Sequence, residues 1–227
     1  MQQSQNYFSI NPFFVNSAVK QRGVSKSVFI ESNVHFILQL ATVYLVKKDA
    51  VKTTDKLTEV LLNDLIHDTL KANFVNESHL EPLLSKEALG YSPQLWRILS
   101  LDEHFPIEKL AHGLEVFFNI DSAIAFRVIW ASWARSIYRD HLDRFVSFAE
   151  KVMNVNPCNN EEETALIGIH AIEKFCQSFR LPMTLEDLDL SPTDTDLEEL
   201  SNQIVNQESI VSEKDRKTIR TILAGLS

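Results

Sequence analysis

The chain has 227 residues, with only 5 glycines and 7 prolines, and its 22 basic and 31 acidic side chains give a formal net charge of −9. Phosphate-binding loops need several glycines within a few residues, and the glycines here stand far apart, so we expect no NAD(P) binding by this chain alone. The negative charge argues against nucleic acid and against an anionic membrane surface as partners.

The sequence carries no visible targeting segment. The N-terminal residues lack a basic region followed by an apolar region, and the apolar run 36–46 is much shorter than a membrane span. The two cysteines, Cys158 and Cys176, are too few for a disulfide framework. We therefore expect a cytoplasmic protein without a membrane segment.

The first half of the chain opens with an arm and continues as helices. Residues 1–25 show no helical periodicity, and Asn11-Pro12 marks a turn or an extended entry segment. Apolar spacing and capping residues then predict helices over 28–46, from Thr53 or Thr54 to about Phe74, from Asn76 to about Gly90, and from Ser92-Pro93 onward.

The second half continues the helical pattern. It predicts helices between 106 and 155 with breaks near Asn119 and 138–141, a helix from 161 to 179, a short turn at 184–187, and helices opening at Ser191-Pro192 and Ser212. The apolar segment 120–138 contains Asp121, Arg127 and Arg135, which favours a core helix over a membrane helix. With about ten helices and no convincing strand, the prediction is an all-α multi-helix bundle forming a single domain over 26–227.

Two Glu-x-x-x-His segments are the sharpest candidate for chemistry. Glu31 and His35 form one pair, and Glu108 and His112 form the other. A spacing of four residues puts both side chains on one helix face, as in helical metal sites, although it is equally the spacing of an ordinary ion pair. Two carboxylates and two imidazoles that face one cavity would suit Fe(II), Mn(II) or Zn(II).

Several segments resemble iron-containing (group III) alcohol dehydrogenases. After Ile-Glu-Lys-Phe at 172–175, residues 179–188 read Phe-Arg-Leu-Pro-Met-Thr-Leu-Glu-Asp-Leu, similar to the passage where a helix of that family ends at Leu-Pro. The stretches 148–155 and 55–62 resemble two segments of its butanol dehydrogenase and aldehyde reductase branch. The opening 8–12 is similar to the linker that enters the family's C-terminal helical domain.

The resemblance implies one half of a two-domain enzyme. Members of the family combine an N-terminal nucleotide-binding α/β domain with a C-terminal helical domain that holds a divalent metal. The metal polarises an alcohol or aldehyde oxygen while hydride passes to or from NAD(P). This chain would correspond to the helical domain, and we expect no nucleotide-binding domain within it.

The resemblance also implies a set of metal ligands, two of which are altered. The family's Asp-x-x-x-His pair falls on Glu31 and His35, and its third ligand falls on Glu108. Its non-ligand histidine falls on His112, and its fourth ligand falls on Ser122, so two ligand histidines are missing. With His112 recruited, Glu31, His35, Glu108 and His112 would form an altered shell for Fe, Zn or Mn.

These departures predict a degenerate, non-catalytic relative of the helical metal-binding domain that acts as an interaction or scaffold protein. The alternative is a metal-dependent alcohol or aldehyde oxidoreductase component whose nucleotide-binding domain comes from another chain. Binding of a small ligand in the former cleft is a third possibility. In each case, we expect a homo-oligomer or a protein partner to cover the vacated domain face.

Overall fold

A computed structural model describes residues 25–46, 52–75, 106–206 and 213–226, and within these ranges the chain is helical and contains no strand. The predicted all-α fold is therefore confirmed. Eight α-helices are described: α1 Lys26–Val46, α2 Lys52–Phe74, α3 Pro106–Phe118, α4 Ser122–Ile137, α5 Leu142–Lys151, α6 Glu161–Ser178, α7 Asp194–Asn206 and α8 Glu213–Ala224. Short 3-10 turns occupy Tyr138–His141 and Glu186–Leu188.

Most of the predicted helix ends agree with the structure. The break near Asn119 is real, because this residue has a left-handed φ of 50° between α3 and α4. The helix predicted at Ser191-Pro192 begins later, since Thr193 and Asp196 form a reciprocal cap in which each side chain accepts the other residue's backbone N–H. The arm over 1–24 and the helices predicted between 76 and 105 lie outside the described residues.

Helix α1 lies at the centre of the described fold and contacts α2, α4 and α5. Its tie to α4 is polar as well as apolar: Trp130 donates its indole N–H to the Thr42 hydroxyl at 2.9 Å and to the Leu38 carbonyl at 3.2 Å. Of the described helices, only α1 is long and apolar enough to cross a membrane by length and composition, and 67% of that segment is buried inside the fold. Helix α1 is therefore the core helix of this domain.

A cluster around Arg144 joins the end of α1 to α2 and α5. The Arg144 guanidinium donates to the Tyr44 carbonyl at 2.9 and 2.5 Å and to the Asp55 carboxylate at 2.6 and 3.1 Å. It also stacks 4.1 Å from the centre of the Tyr44 ring. The last turn of α1 has no basic residue, so Arg144 supplies from α5 the positive charge that a helix C-terminus favours.

Helices α5 and α6 approach each other closely at Gly168. A Cβ at Gly168 of α6 would lie 2.6 Å from the Cβ and 3.0 Å from the Cα of Ala149 on α5. A side chain larger than hydrogen at 168 would push the two helices apart, so the glycine is required here by packing.

Candidate functional site

The first Glu-x-x-x-His pair lies at the N-terminal half of α1. Glu31 is exposed, whereas His35 is half-buried and packs edge-on against Phe126 of α4, with ring centres 5.3 Å apart. Asn33, between them, is buried and donates to the Thr69 hydroxyl of α2 at 3.1 Å. Because Asn33 fixes α1 against α2, the imidazole of His35 is held on the side that faces α4.

The His35 ring holds an unusual nitrogen. Its Nδ1 is buried without a hydrogen-bond partner, the only side-chain atom of this kind in the described ranges. Burial first, and then the positive charge of Arg127, lower the pKa of His35 to about 4, while Asp121 acts in the opposite direction. The imidazole is therefore neutral at neutral pH, the state that can act as a ligand or as a hydrogen-bonding group.

Arg127 supplies the positive charge beside His35. Its side chain is only 2% exposed, and its Nε donates to the carbonyl of Pro182 at 2.8 Å. Burial lowers the pKa of Arg127, while Cys176, Glu31 and Asp121 act in the opposite direction. A guanidinium stays protonated even after such a shift, so a permanent cation is buried at this end of α4.

The second Glu-x-x-x-His pair has a different environment. Glu108 is half-buried on α3, and burial raises the pKa of its carboxyl to about 7. His112 lies with its Nδ1 3.2 Å from the carboxylate of Glu115, the residue three positions later. The ion-pair interpretation of helical spacing thus holds for His112, but with Glu115 as the partner in place of Glu108.

The position of the fourth family ligand lies at the start of α4. Asp121 is the N-cap of this helix and accepts the Ala123 N–H at 2.8 Å. Ser122 is the first helical residue and is exposed. Serine at this place continues the cap and the helix, and it offers no imidazole to a metal ion.

The four predicted ligands do not form a coordination group in this structure. Among the residues that the structure describes, no three His, Cys, Asp or Glu side chains are placed so that they could hold a metal ion. Glu31, His35, Glu108 and His112 all lie in the described ranges. Metal binding by these residues accordingly stays a prediction that needs a direct measurement.

A surface groove lies elsewhere, along α6. It has a volume of about 420 Å³ and is lined in part by Tyr138, Arg139, Glu162 and His170. Its charged groups already pair with each other, since Glu162 accepts hydrogen bonds from Tyr138 at 3.2 Å and from Arg139 at 3.2 and 3.3 Å. The groove contains none of the predicted ligands, and we assign no site to it.

No protein-family model and no curated protein sequence matches the chain. Solved structures do match it. The E. coli aldehyde reductase YqhD superposes with a TM-score of 0.70 at 16% identity, covering 92% of this chain and 55% of that protein. The NADH-dependent butanol dehydrogenase A of Thermotoga maritima gives 0.74 at 16% identity, covering 90% and 53%, and a 1,3-propanediol oxidoreductase gives 0.65 at 18%, covering 86% and 50%.

The chain has the fold of the helical domain of iron-containing alcohol dehydrogenases. It spans about half the length of these structures. At identities of 16 to 18%, the likeness establishes the fold and leaves activity open.

This fold implies a divalent metal, and the residues around His35 do not fit one. The unpartnered Nδ1 of His35 would suit an ion, but the buried cation of Arg127 already acts on this imidazole. A second cation beside it would meet repulsion where the surrounding protein screens charge poorly. The sequence contains a signal for this feature, because Arg127 lies within the apolar segment 120–138, but the pattern alone supports only an argument against a membrane helix.

Proposed function

We propose that this chain is a non-catalytic relative of the helical domain of iron-containing alcohol dehydrogenases and acts through contacts with other proteins as a scaffold. The observation that carries the proposal is which residues occupy the predicted metal site and what they contact. Arg127 is buried beside His35, Ser122 replaces a ligand, and His112 pairs with Glu115. None of these features serves the polarisation of an alcohol or aldehyde oxygen by a metal ion.

An activity assay tests the proposal that the chain is non-catalytic. The purified chain is mixed with NADH and butanal, or with NAD and butanol, in the presence of Fe(II), Zn(II) or Mn(II). A butanol dehydrogenase serves as the positive control. We expect no change in NADH absorbance above the protein-free reaction, and metal-dependent turnover by the chain alone would refute the proposal.

Exposed apolar side chains support the proposed scaffold function. Phe74 at the end of α2 is 87% exposed, Val60 of the same helix is 57% exposed, and Val28 of α1 is 51% exposed. Apolar groups that stay exposed to water can supply contact area to a protein partner or to a second copy of the chain. We place this assembly in the cytoplasm, in line with the low cysteine content of the sequence.

Sedimentation velocity over a range of concentrations measures self-association directly. We expect the sedimentation coefficient to rise with concentration, and Phe74→Ser should reduce that rise if the end of α2 takes part. The matched control is Leu166→Ser on α6, where the side chain is also apolar and partly exposed, at 39%. A monomer at every concentration, with no protein co-purifying, would contradict the scaffold function.

A second candidate function is that of an oxidoreductase component. The observation that favours it is coverage: the matching structures, among them an aldehyde reductase and an NADH-dependent butanol dehydrogenase, are about twice as long as the region they share with this chain. A nucleotide-binding domain would then come from outside the 227 residues. Co-purification with a glycine-rich nucleotide-binding protein, together with NADH oxidation by the mixture only, would establish this alternative over the first.

A further inference from the structure

We propose that the outer face of α2 is a self-association surface, on which a second copy of the chain packs its own α2 in the antiparallel direction. The outer face consists of positions 57, 60, 64, 67, 71 and 74, and the two-fold axis passes between positions 65 and 66 of the two helices. The inference rests on the proposed scaffold function and deepens it, because it names the partner and the register of the contact.

The outer face of α2 has the spacing of a coiled-coil contact, because its positions recur alternately after three and four residues. The residues that occupy it are all exposed: Leu57, Val60, Asp64, His67, Lys71 and Phe74. The buried residues of α2, among them Leu62, Leu65 and Ala72, lie on the opposite side of the helix, where α2 packs against α1. Helix α2 therefore uses one side for its own fold and presents a regular row of side chains on the other.

The apolar side chains lie at both ends of the outer face. Near its start, Leu57 and Val60 are 45% and 57% exposed. Near its end, Phe74 is 87% exposed, and Leu70, which borders the face, is 40% exposed. In the antiparallel pair, Leu57 of one copy faces the partner's Phe74. Val60 faces the partner's Leu70 and the aliphatic stem of the partner's Lys71. The two-fold axis repeats each contact, so the apolar end of one α2 covers the apolar end of the other.

The polar side chains in the middle of the outer face select the antiparallel direction. Asp64 makes no ion pair within the described residues. The Asp68 carboxylate, in contrast, lies 3.8 Å from the Nδ1 of His67 and 3.9 Å from the Nζ of Lys71, so two nitrogen groups share it. An antiparallel partner brings its His67 opposite Asp64 and its Lys71 one helical turn away. A parallel partner would instead place Asp64 against Asp64 and Lys71 against Lys71, which is repulsive.

The length of the outer face sets the strength of the expected contact. From position 57 to position 74 it extends about 26 Å, at about 1.5 Å per residue. A single pair of helices of this length lies at the small end of specific protein interfaces, which bury about 800 Å² on each partner. We therefore expect a reversible dimer with a dissociation constant of about 10–100 μM.

Disulfide trapping measures the direction and the register of the pair. Val60→Cys and Lys71→Cys are made separately, in a Cys158→Ser background that removes the half-buried native thiol. Two copies of position 60, or two of position 71, lie about 16 Å apart along the antiparallel helices. A disulfide spans a Cα separation of at most about 7 Å, so we expect a covalent dimer from the mixture and none from either variant alone. Parallel helices would cross-link each variant with itself, and Val60→Cys mixed with Glu198→Cys of α7 is the control for random collisions.

Charge exchange tests the pair in the middle of the face. Asp64→Lys and His67→Asp should each weaken self-association about fivefold to tenfold in sedimentation velocity, because the two-fold axis counts each repulsive pair twice. Mixing the two variants should restore association. In the mixed dimer the lysine introduced at 64 faces the aspartate introduced at 67, and the native pair is kept on the other side of the axis. The matched control is Glu198→Lys at an exposed position of α7, which should leave the dissociation constant unchanged.

Every substituted position of α2 is exposed, so the variants keep the core, and circular dichroism checks that they fold. A native chain that stays monomeric would overturn the inference. So would association that neither charge variant changes, or a mixture of Val60→Cys and Lys71→Cys that gives no covalent dimer, and the scaffold function would then stand on other surfaces. A co-purifying protein that covers α2 in place of a second copy would have the same meaning. NADH turnover in the earlier assay would refute the proposed function and leave the cross-link unchanged.

Discussion

The contact between α5 and α6 supports the sharpest quantitative prediction. Replacing Gly168 by alanine puts a methyl group 2.6 Å from the Cβ and 3.0 Å from the Cα of Ala149, whereas ordinary contacts of a Cβ begin at 3.4 Å. Neither neighbouring atom can rotate away, because the Cα belongs to the backbone and the Cβ is fixed to it. The helices must therefore separate by several tenths of an ångström along their whole contact.

The expected loss in the free energy of unfolding of Gly168→Ala follows from two opposing effects. Overpacking of a close contact costs about 1–3 kcal/mol, and the rigid backbone of α5 puts this case near the upper end. Alanine in a helix interior recovers about 1 kcal/mol relative to glycine. The net loss in the free energy of unfolding is then about 2 kcal/mol, which lowers the thermal midpoint of a domain of this size by about 4–8 °C.

Urea denaturation and calorimetry at neutral pH measure this loss. The matched control exchanges the two residues: Gly168→Ala combined with Ala149→Gly removes the closer contact at 2.6 Å and keeps the number of helical glycines. We expect the double variant to recover most of the stability that the single variant loses. A Gly168→Ala protein as stable as the native chain would refute the steric argument, because the higher helix propensity of alanine would then outweigh the cost of the close contact.

Three further predictions concern charge and the thiols. Arg144→Met should lower the free energy of unfolding by about 2–4 kcal/mol in urea denaturation, since it strands carbonyl and carboxylate acceptors, whereas Arg139→Met, at a side chain 71% exposed, should change it by less than about 1 kcal/mol. Backbone N–H donors hold the pKa of Asp187 below its usual range. Its contribution is therefore complete above the ordinary carboxyl pKa and is lost as the pH falls through the lowered one. Asp187→Asn should accordingly be less stable than the native chain at pH 7, and the gap should narrow under strong acid; an equal gap at both pH values would contradict this. Burial raises the pKa of Cys176 to about 12, so a thiol reagent at pH 8 should label half-buried Cys158 in the native protein and reach Cys176 only after denaturation.

The helices could be predicted from sequence because their causes are local. The 3.6-residue apolar period and the capping residues lie within each helix, so α2 ends at Phe74 and α6 starts after the N-cap Asn160, as expected. The start of α7 lies later than predicted: Ser191-Pro192 matches the usual cap and first position, but Thr193 and Asp196 form the reciprocal cap that the structure shows.

The candidate site could be predicted only in its local part. Helical spacing predicts a carboxylate near each histidine, but a helix surface offers neighbours at both three and four residues, and His112 pairs with Glu115. The relation between His35 and Arg127 spans two helices that are far apart in sequence. It depends on how α1 and α4 pack, and no pattern within either helix contains that information.

The significance of the Glu31 and His35 pair therefore depends on the charges around it. A glutamate four residues before a histidine offers two ligands to a metal ion only when the space before them holds no other cation. In this chain Arg127 is a buried guanidinium that keeps its proton, and its positive charge is one of the causes that lower the pKa of His35. The Glu-x-x-x-His pattern is the same in both cases, so a metal titration of the native chain is the measurement that decides between them.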